Sequence, residues 1–229
     1  MKQCMVVLGV LLIGFSVTLL NLTGFGVDPF NCMNMAVSGH LPVSYGIWQL
    51  FVNCVLFAGM VLYRKIRNRT GHKLFGFGTV VNMVFVGILV DWFTAAYHWL
   101  GGEELLFVQR CLLLIPAIAG LCLGCSLYMT ANLGSAPYDS LGQEIARETN
   151  TPFRGCRIAS DLTCVIIAVI FGGKVGVGSV ISACGTGPFI QFFNTHVSRP
   201  LLSVICGRKK KGCKKVIAEI NQGLKKESC

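Results

Sequence analysis

The sequence predicts an all-α, polytopic membrane protein. It has about six transmembrane helices in two inverted three-helix repeats, each with a short Pro-initiated helix that is re-entrant or interfacial. Three observations predict this. The 229 residues are 53% hydrophobic and only 13% charged, with mean hydropathy +0.65, whereas soluble domains average about 25% charged residues. Apolar runs lie near 5–24, 45–63, 79–98, 107–131, 157–172 and 177–196, each close to the roughly 20 residues that a bilayer span needs. Motifs of the first half also return in the second. The same composition excludes a disordered chain, which requires low hydrophobicity.

Lys2 and the apolar run from Met5 to Leu20 have the outline of a signal peptide. No small-residue cleavage pattern follows, and five more apolar runs do, so a retained first span is expected. Next, Asp28 is placed to cap a helix that Pro29 opens and Gly39 closes. In the second half Pro137 opens a similar piece reaching about Arg147. Helices of ten to fourteen residues do not cross a bilayer, so these two either re-enter it or lie at its surface. If they re-enter, their N-termini aim partial positive charge at the centre.

Charge sets the orientation. The net charge is +10, and of twenty Lys and Arg, five fall between Arg64 and Lys73 and eight between Arg208 and Lys226. A nucleic-acid-binding tail is one reading of the latter; in a chain this apolar, a cytoplasmic juxtamembrane cluster is the expected one. The segments around Gly101-Gly102-Glu103-Glu104 and Gly172-Gly173-Lys174 are poor in basic residues and belong outside. Both termini are then cytoplasmic. In the tail, Val216, Ile217, Ile220 and Leu224 leave Lys214, Lys215 and Lys225 on other faces, the pattern of a helix lying on anionic lipid.

The repeat is read by laying the halves together. Gly14 and Ser16 match Gly124 and Ser126; 26–30 (GVDPF) matches 134–138 (GSAPY); 76–82 (GFGTVVN) matches 176–182 (GVGSVIS); and Gly87 and Asp91 match Gly187 and Gln191. The offset falls from 110 to 108 to 100. Three spans per half is an odd number, so the second half enters the membrane in the opposite sense. Many secondary transporters are built so, with the solute site at the repeat interface. Residues 1–100 and 101–198 form the two repeats, and 199–229 the basic tail.

Candidate chemistry follows from these positions. Gly178 and Ser179 open the sixth span, and the glycines permit close approach with the hydroxyl free to cap. A tight packed turn is favoured there over a ligand site. Gly187 and Pro188 sit inside the same span, where a break or kink is expected. Asp91 is an intramembrane carboxylate near the outer end of the third span, either functional or solvated at the interface. Arg157 and Asp161, four apart, share one helix face as an ion pair or a substrate clamp. Asp139 and Glu144 on the second short helix fit solvated positions as well. The candidate solute-binding residues are thus Asp28, Pro29, Asp91, Pro137, Asp139, Arg157, Asp161, Gly178, Ser179, Gly187, Pro188 and Gln191, with no catalytic or metal residue.

Other features read as packing. Gly120-x-x-x-Gly124 fits close helix contact. Most of the twelve cysteines sit in apolar runs as small hydrophobes, Cys122 and Cys125 included, while Cys206, Cys213 and Cys229 border the tail without forming a prenylation box. His40, His72, His98 and His196 are isolated, and no zinc-protease, serine-hydrolase or phosphate-loop motif occurs. No enzyme and no cofactor is expected.

The segments 26–30 and 134–139, Arg154-Gly155-Cys156-Arg157 with Asp161, the run 171–179 (FGGKVGVGS) and 187–191 (GPFIQ) together resemble the YczE/YyaS/YitT-type bacterial integral membrane proteins, the YczE-like branch in particular. The resemblance covers about residues 5–195, and the form it matches lacks the soluble C-terminal domain of YitT-type members. Where that family has Gly-Thr and Glu, this chain has Gly178-Ser179 and Asp161. The resemblance implies a plasma-membrane protein of poorly characterised activity, often suspected of transport, and carries over no catalytic residue. The expectation is therefore a small permease or exporter of a polar solute, with a non-transporting scaffold or regulatory partner as the alternative. Its expected partners are the lipid bilayer and the solute, with room for a homo-oligomer and none for nucleic acid.

Overall fold

The apolar runs fold as long helices because a chain in lipid must satisfy every backbone donor and acceptor internally. The computed structural model describes residues 2–67, 76–102, 105–134, 136–149, 151 and 153–206, and no strand occurs among them. The elements are α1 (Lys2–Thr23), α2 (Pro29–Ser38), α3 (Tyr45–Ile66), α4 (Phe77–Trp99), α5 (Phe107–Thr130), α6 (Pro137–Thr149), α7 (Phe153–Ile170) and α8 (Val177–Phe193). A π-helical turn (Asn194–Ser198) then leads into α9 (Arg199–Cys206). Part of the basic 64–73 segment, Glu103-Glu104, and the tail with its amphipathic pattern, Cys213 and Cys229 lie outside the described residues.

Four helices, α1, α3, α4 and α5, are long and apolar enough to cross a membrane. The other two predicted spans do not meet that standard by themselves. Helix α7 carries Arg154, Arg157 and Asp161 in 18 residues, and α8 has 17. Both nonetheless present apolar stripes outward: Ile158, Leu162, Ile166 and Val169 on α7, and Val177, Val180, Phe189 and Phe192 on α8. An exposed apolar surface this extensive does not occur on a soluble monomer. The molecule is a multi-pass membrane protein.

The core is the crossing of α1 and α5. Met5, Val6, Val10, Ile13, Val17 and Leu20 of α1 are buried against Ala117, Leu121, Cys122 and Tyr128 of α5 and their neighbours. Helix α1 is apolar all round because one face meets this core while Val7, Leu8, Leu11 and Phe15 face outward toward lipid. Gly9 faces Gly124, where a Cβ on either would stand 2.8 Å from the other's carbonyl oxygen, and Ser16 faces Gly120. The order of these contacts means that α1 and α5 run in opposite directions. Gly120 and Gly124 are thus used for packing.

Two junctions tie the first stretch of the chain to the second. The Gly78 amide donates to the Leu133 carbonyl at 2.8 Å, and the Gly178 amide donates to the Phe25 carbonyl at 2.9 Å. The chain turns at these carbonyls through Gly26 (φ +95°) and Gly134 (φ +113°), values that favour glycine. A Cβ on Gly26 would meet Ser179 Oγ, and 2.8 Å away the Lys174 carbonyl; one on Gly134 would meet Thr79 Oγ1 and the Gly76 backbone. The hydroxyls of Thr79 and Ser179 therefore pack over the opposite glycine.

Of the break or kink expected at Gly187-Pro188, the break does not occur. Helix α8 runs unbroken through Pro188, since one proline deletes one backbone bond and membrane helices tolerate that. The irregularity falls later, in the π-helical turn, which sets Asn194 and Ser198 against α5. There Thr130 Oγ1 donates to Asn194 Oδ1 at 3.1 Å, and the Ser126 and Ser198 hydroxyls are 2.7 Å apart.

Gly26→Ala and Gly134→Ala should each lower thermal stability in mild detergent by several degrees, about 1–3 kcal/mol. Gly59→Ala on α3, with open space around it, should leave the melting temperature unchanged or slightly raised. Equal melting of all three variants would remove the junction argument.

Candidate functional site

The two short helices begin where sequence placed them. Asp28 caps α2, its carboxylate accepting from the Asn31 amide at 3.3 Å and from Asn31 Nδ2 at 2.7 Å, with Pro29 in the first turn. Pro137, fully buried, opens α6. The helices meet at their starts, where the rings of Phe30 and Tyr138 stack at 4.4 Å. Leu56 of α3 and Cys164 of α7 pack against this pair.

Each short helix is tied to the long helix that follows it at corresponding positions, 108 residues apart. Gln49 Nε2 of α3 donates to Asn31 Oδ1 of α2 at 3.0 Å, while Arg157 of α7 donates to Asp139 Oδ1 of α6 at 2.6 Å. One bond is an amide pair, the other an ion pair. Asn31 Oδ1 also accepts from the Tyr45 hydroxyl at 2.6 Å. Neither Asn31, Gln49 nor Tyr45 was a candidate from sequence, because polar amides and a tyrosine in apolar runs carry no signal of their distant partners.

The ionic side is a connected network. Arg157 reaches Asp139 and, through Nε at 3.5 Å, Asp161. Asp161 accepts from the Tyr138 hydroxyl at 2.6 Å, and Arg157 lies 4.6 Å from the Tyr138 ring centre. Asp139 accepts from Tyr128, whose hydroxyl in turn accepts from the Ala136 amide. The i,i+4 pair read from sequence is thus the looser contact, and Asp139 the closer partner. Asp139 and Glu144 are not the solvated groups that their positions allowed: Glu144 pairs with Arg64 of α3.

Asp28 stands within electrostatic reach of Arg157 and Asp161. It has no cation at salt-bridge distance among the described residues.

The remaining candidates stand apart from this cluster. Asp91 accepts from the Gly46 amide of α3 at 2.9 Å, one of the helix's orphan donors, and so acts as a cap between α4 and α3. Gly178 spends its amide on Phe25, as above. Ser179 is buried beside Gly26 and within reach of Cys32 of α2. Gly187 and Pro188 continue α8, and Gln191 is exposed near its end. A separate groove of about 520 Å³ runs along α6 and α7, lined by Thr149, Thr151, Gly155, Cys156, Ser160 and Thr163 among others, and includes none of the candidates.

Comparison with known proteins agrees with the resemblance. A model described as a family of unknown function (DUF6198) matches residues 1–195. The chain is 24% identical over 188 residues to the uncharacterized membrane protein YczE of Bacillus subtilis, covering 80% of this chain and 81% of that one. It is 23% identical over 204 residues to the uncharacterized protein YyaS of the same organism, covering 89% and 97%. An uncharacterized protein of Haemophilus influenzae is 23% identical over 188 residues, covering 82% and 81%. No solved structure matches.

Arg157→Leu should cost about 3–5 kcal/mol by stranding two carboxylates, and Asp139→Asn with Asp161→Asn in the same chain should restore part of that. Asp91→Asn should cost under about 1 kcal/mol, its amide oxygen still accepting from Gly46, and Asp91→Leu about 1–3 kcal/mol. Thermal melts of the purified variants decide both.

Proposed function

Because the chain belongs to the DUF6198 family, whose function is not known, we propose an activity from its own geometry. It is a small permease or exporter that passes a polar solute between two inverted three-span halves. The observation that carries this is the cluster of Asp28, Asp139, Asp161 and Arg157 at the meeting point of the two short helices. Ionisable groups at membrane depth are costly and mark solute or ion pathways, and transporter sites sit between repeats.

The inverted arrangement is supported by the antiparallel crossing of α1 and α5 and by the reciprocal bonds of Gly78 and Gly178. A further pair of contacts adds to it: Arg64 of α3 meets Glu144 of α6, and Gly173 after α7 packs on Ala36 of α2. Each is the other displaced by about 108 residues. On this reading α7 and α8 are the fifth and sixth spans. The basic segment from Arg64 and the tail beyond Arg199 face the cytoplasm of a plasma-membrane protein. The rival, a non-transporting scaffold, draws its support from the tight α1–α5 seam at Gly9 and Gly124.

Reporter fusions should place the 64–73 segment and the C-terminus on the same, cytoplasmic side. Liposomes holding the purified chain should pass a solute that protein-free liposomes exclude. Arg157→Gln should reduce that flux tenfold or more, and Gly59→Ala should leave it unchanged. Flux equal to that of empty liposomes across a broad metabolite set, with a stable membrane partner recovered instead, would favour the scaffold.

A further inference from the structure

The interface between the two stretches of chain spreads in two directions from the stacked rings of Phe30 and Tyr138. Along one arm α2 packs on α7, and along the other α6 packs on α3. The second arm is the first displaced by 108 residues. Their near ends match: Cys164 of α7 and Leu56 of α3, at corresponding positions, both pack against the ring pair. Their far ends do not. On the α2–α7 arm the closure is made by small residues. Ala168 is 0% exposed, a Cβ on Gly173 would stand 2.9 Å from the Ala36 Cβ, and His40 Nε2 lies 3.0 Å from the Phe171 carbonyl oxygen. At the corresponding place on the α3–α6 arm Arg64 reaches Glu144, the two side chains being 13% and 12% exposed. The α2–α7 contact is also the more extensive of the two.

The two closures differ in what opening releases. Drawing Gly173 off Ala36 exposes apolar surface and closely packed backbone, for which water gives no return. Drawing Arg64 off Glu144 hands both charges back to water, and the hydration regained offsets much of the attraction lost. A long arginine side chain also bridges a gap that small residues close only by bringing the helices into contact. One arm is therefore shut by packing and the other by a charge contact that water can replace. Tyr138 stands at the root of the charged arm, and its hydroxyl donates to Asp161, which joins that arm to the ionic cluster.

We propose that Arg64 and Glu144 form a latch, and that the α3–α6 arm is the one that parts to admit water and solute to Asp139, Arg157 and Asp161 while the α2–α7 arm stays shut. On the permease reading this is the cytoplasmic entrance. The latch rests on that reading for what passes through, though not for the parting itself.

The test is the rate at which a charged, membrane-impermeant methanethiosulfonate modifies the native cysteines of the detergent-purified full chain, read by peptide mass spectrometry. Cys164 is buried at the ring pair and Cys122 in the α1–α5 core, so the first reports the latch and the second any general loosening. Arg64→Gln should speed modification of Cys164 tenfold or more and leave Cys122 unchanged. Glu144→Gln should do the same, and replaces Arg64→Gln if that variant does not fold. Exchanging the charges, Arg64→Glu with Glu144→Arg, should return Cys164 to its protected rate. His40→Ala, on the packed arm, should leave Cys164 as it is. An unchanged Cys164 in the neutral variants overturns the proposal. So does a rise shared equally by Cys122, which marks the pair as a structural tie, or a charge exchange that leaves Cys164 reactive. A rise in His40→Ala equal to that in Arg64→Gln overturns the choice of arm. The readout needs no solute, which separates the two claims. Cys164 released by the neutral variants, in a chain that passes no solute into liposomes, sinks the permease and keeps the latch. Solute flux with Cys164 unmoved does the reverse.

Discussion

Two backbone hydrogen bonds, Gly78 to Leu133 and Gly178 to Phe25, are the constraint on which the rest of this structure depends. Each joins the first turn of a long helix to the carbonyl just before a short one. In lipid an amide at a helix start has no water to turn to, so these donors must find protein. They can do so only if the facing backbone comes close, which is why Gly26 and Gly134 stand at the turns and Gly76 and Gly176 at the helix starts. A bond between backbones makes no demand on side-chain identity beyond the absence of a Cβ. Residues elsewhere on the short helices are therefore free to differ between the two stretches, and they do.

That freedom accounts for what sequence made legible. The glycines at 26, 76, 134 and 176 stand at backbone contacts that leave no room for a Cβ, and such positions show in the sequence. The caps show as well: Asp28-Pro29 and Pro137 begin α2 and α6, and Gly39 follows the last residue of α2. The long apolar runs gave spans within a few residues of α1, α3, α4 and α5 because their residues face either lipid or the core. Four of the candidate residues, Asp28, Asp139, Arg157 and Asp161, do come together at the site.

The rest was not legible because it depends on pairings between distant segments. Asp91 resembles an ion-binding carboxylate in the run of residues around it, and only the fold brings the Gly46 amide to it. Gln191 aligns with Asp91 yet is exposed, because a match of spacing carries no information about burial. Asn31 and Gln49 are eighteen residues apart, and neither alone suggests a bond. Pro188 signalled a break that its single missing donor does not force, while the π-helical turn that follows has no signature in composition.

The site's asymmetry follows burial. At corresponding positions α2 and α3 are joined by an amide pair and α6 and α7 by an ion pair. Asn31 and Gln49 are 6% and 4% exposed, whereas the side chains of Arg157 and Asp139 are 32% and 22% exposed. An amide pair survives in a dry interior because neither partner is charged. An ion pair there would carry a desolvation cost that its attraction does not reliably offset. The neutral bond is found where the structure is sealed and the ionic bond where it is open. Asp28 is held by the neutral side, through its two bonds from Asn31, and lies within the field of the ionic one.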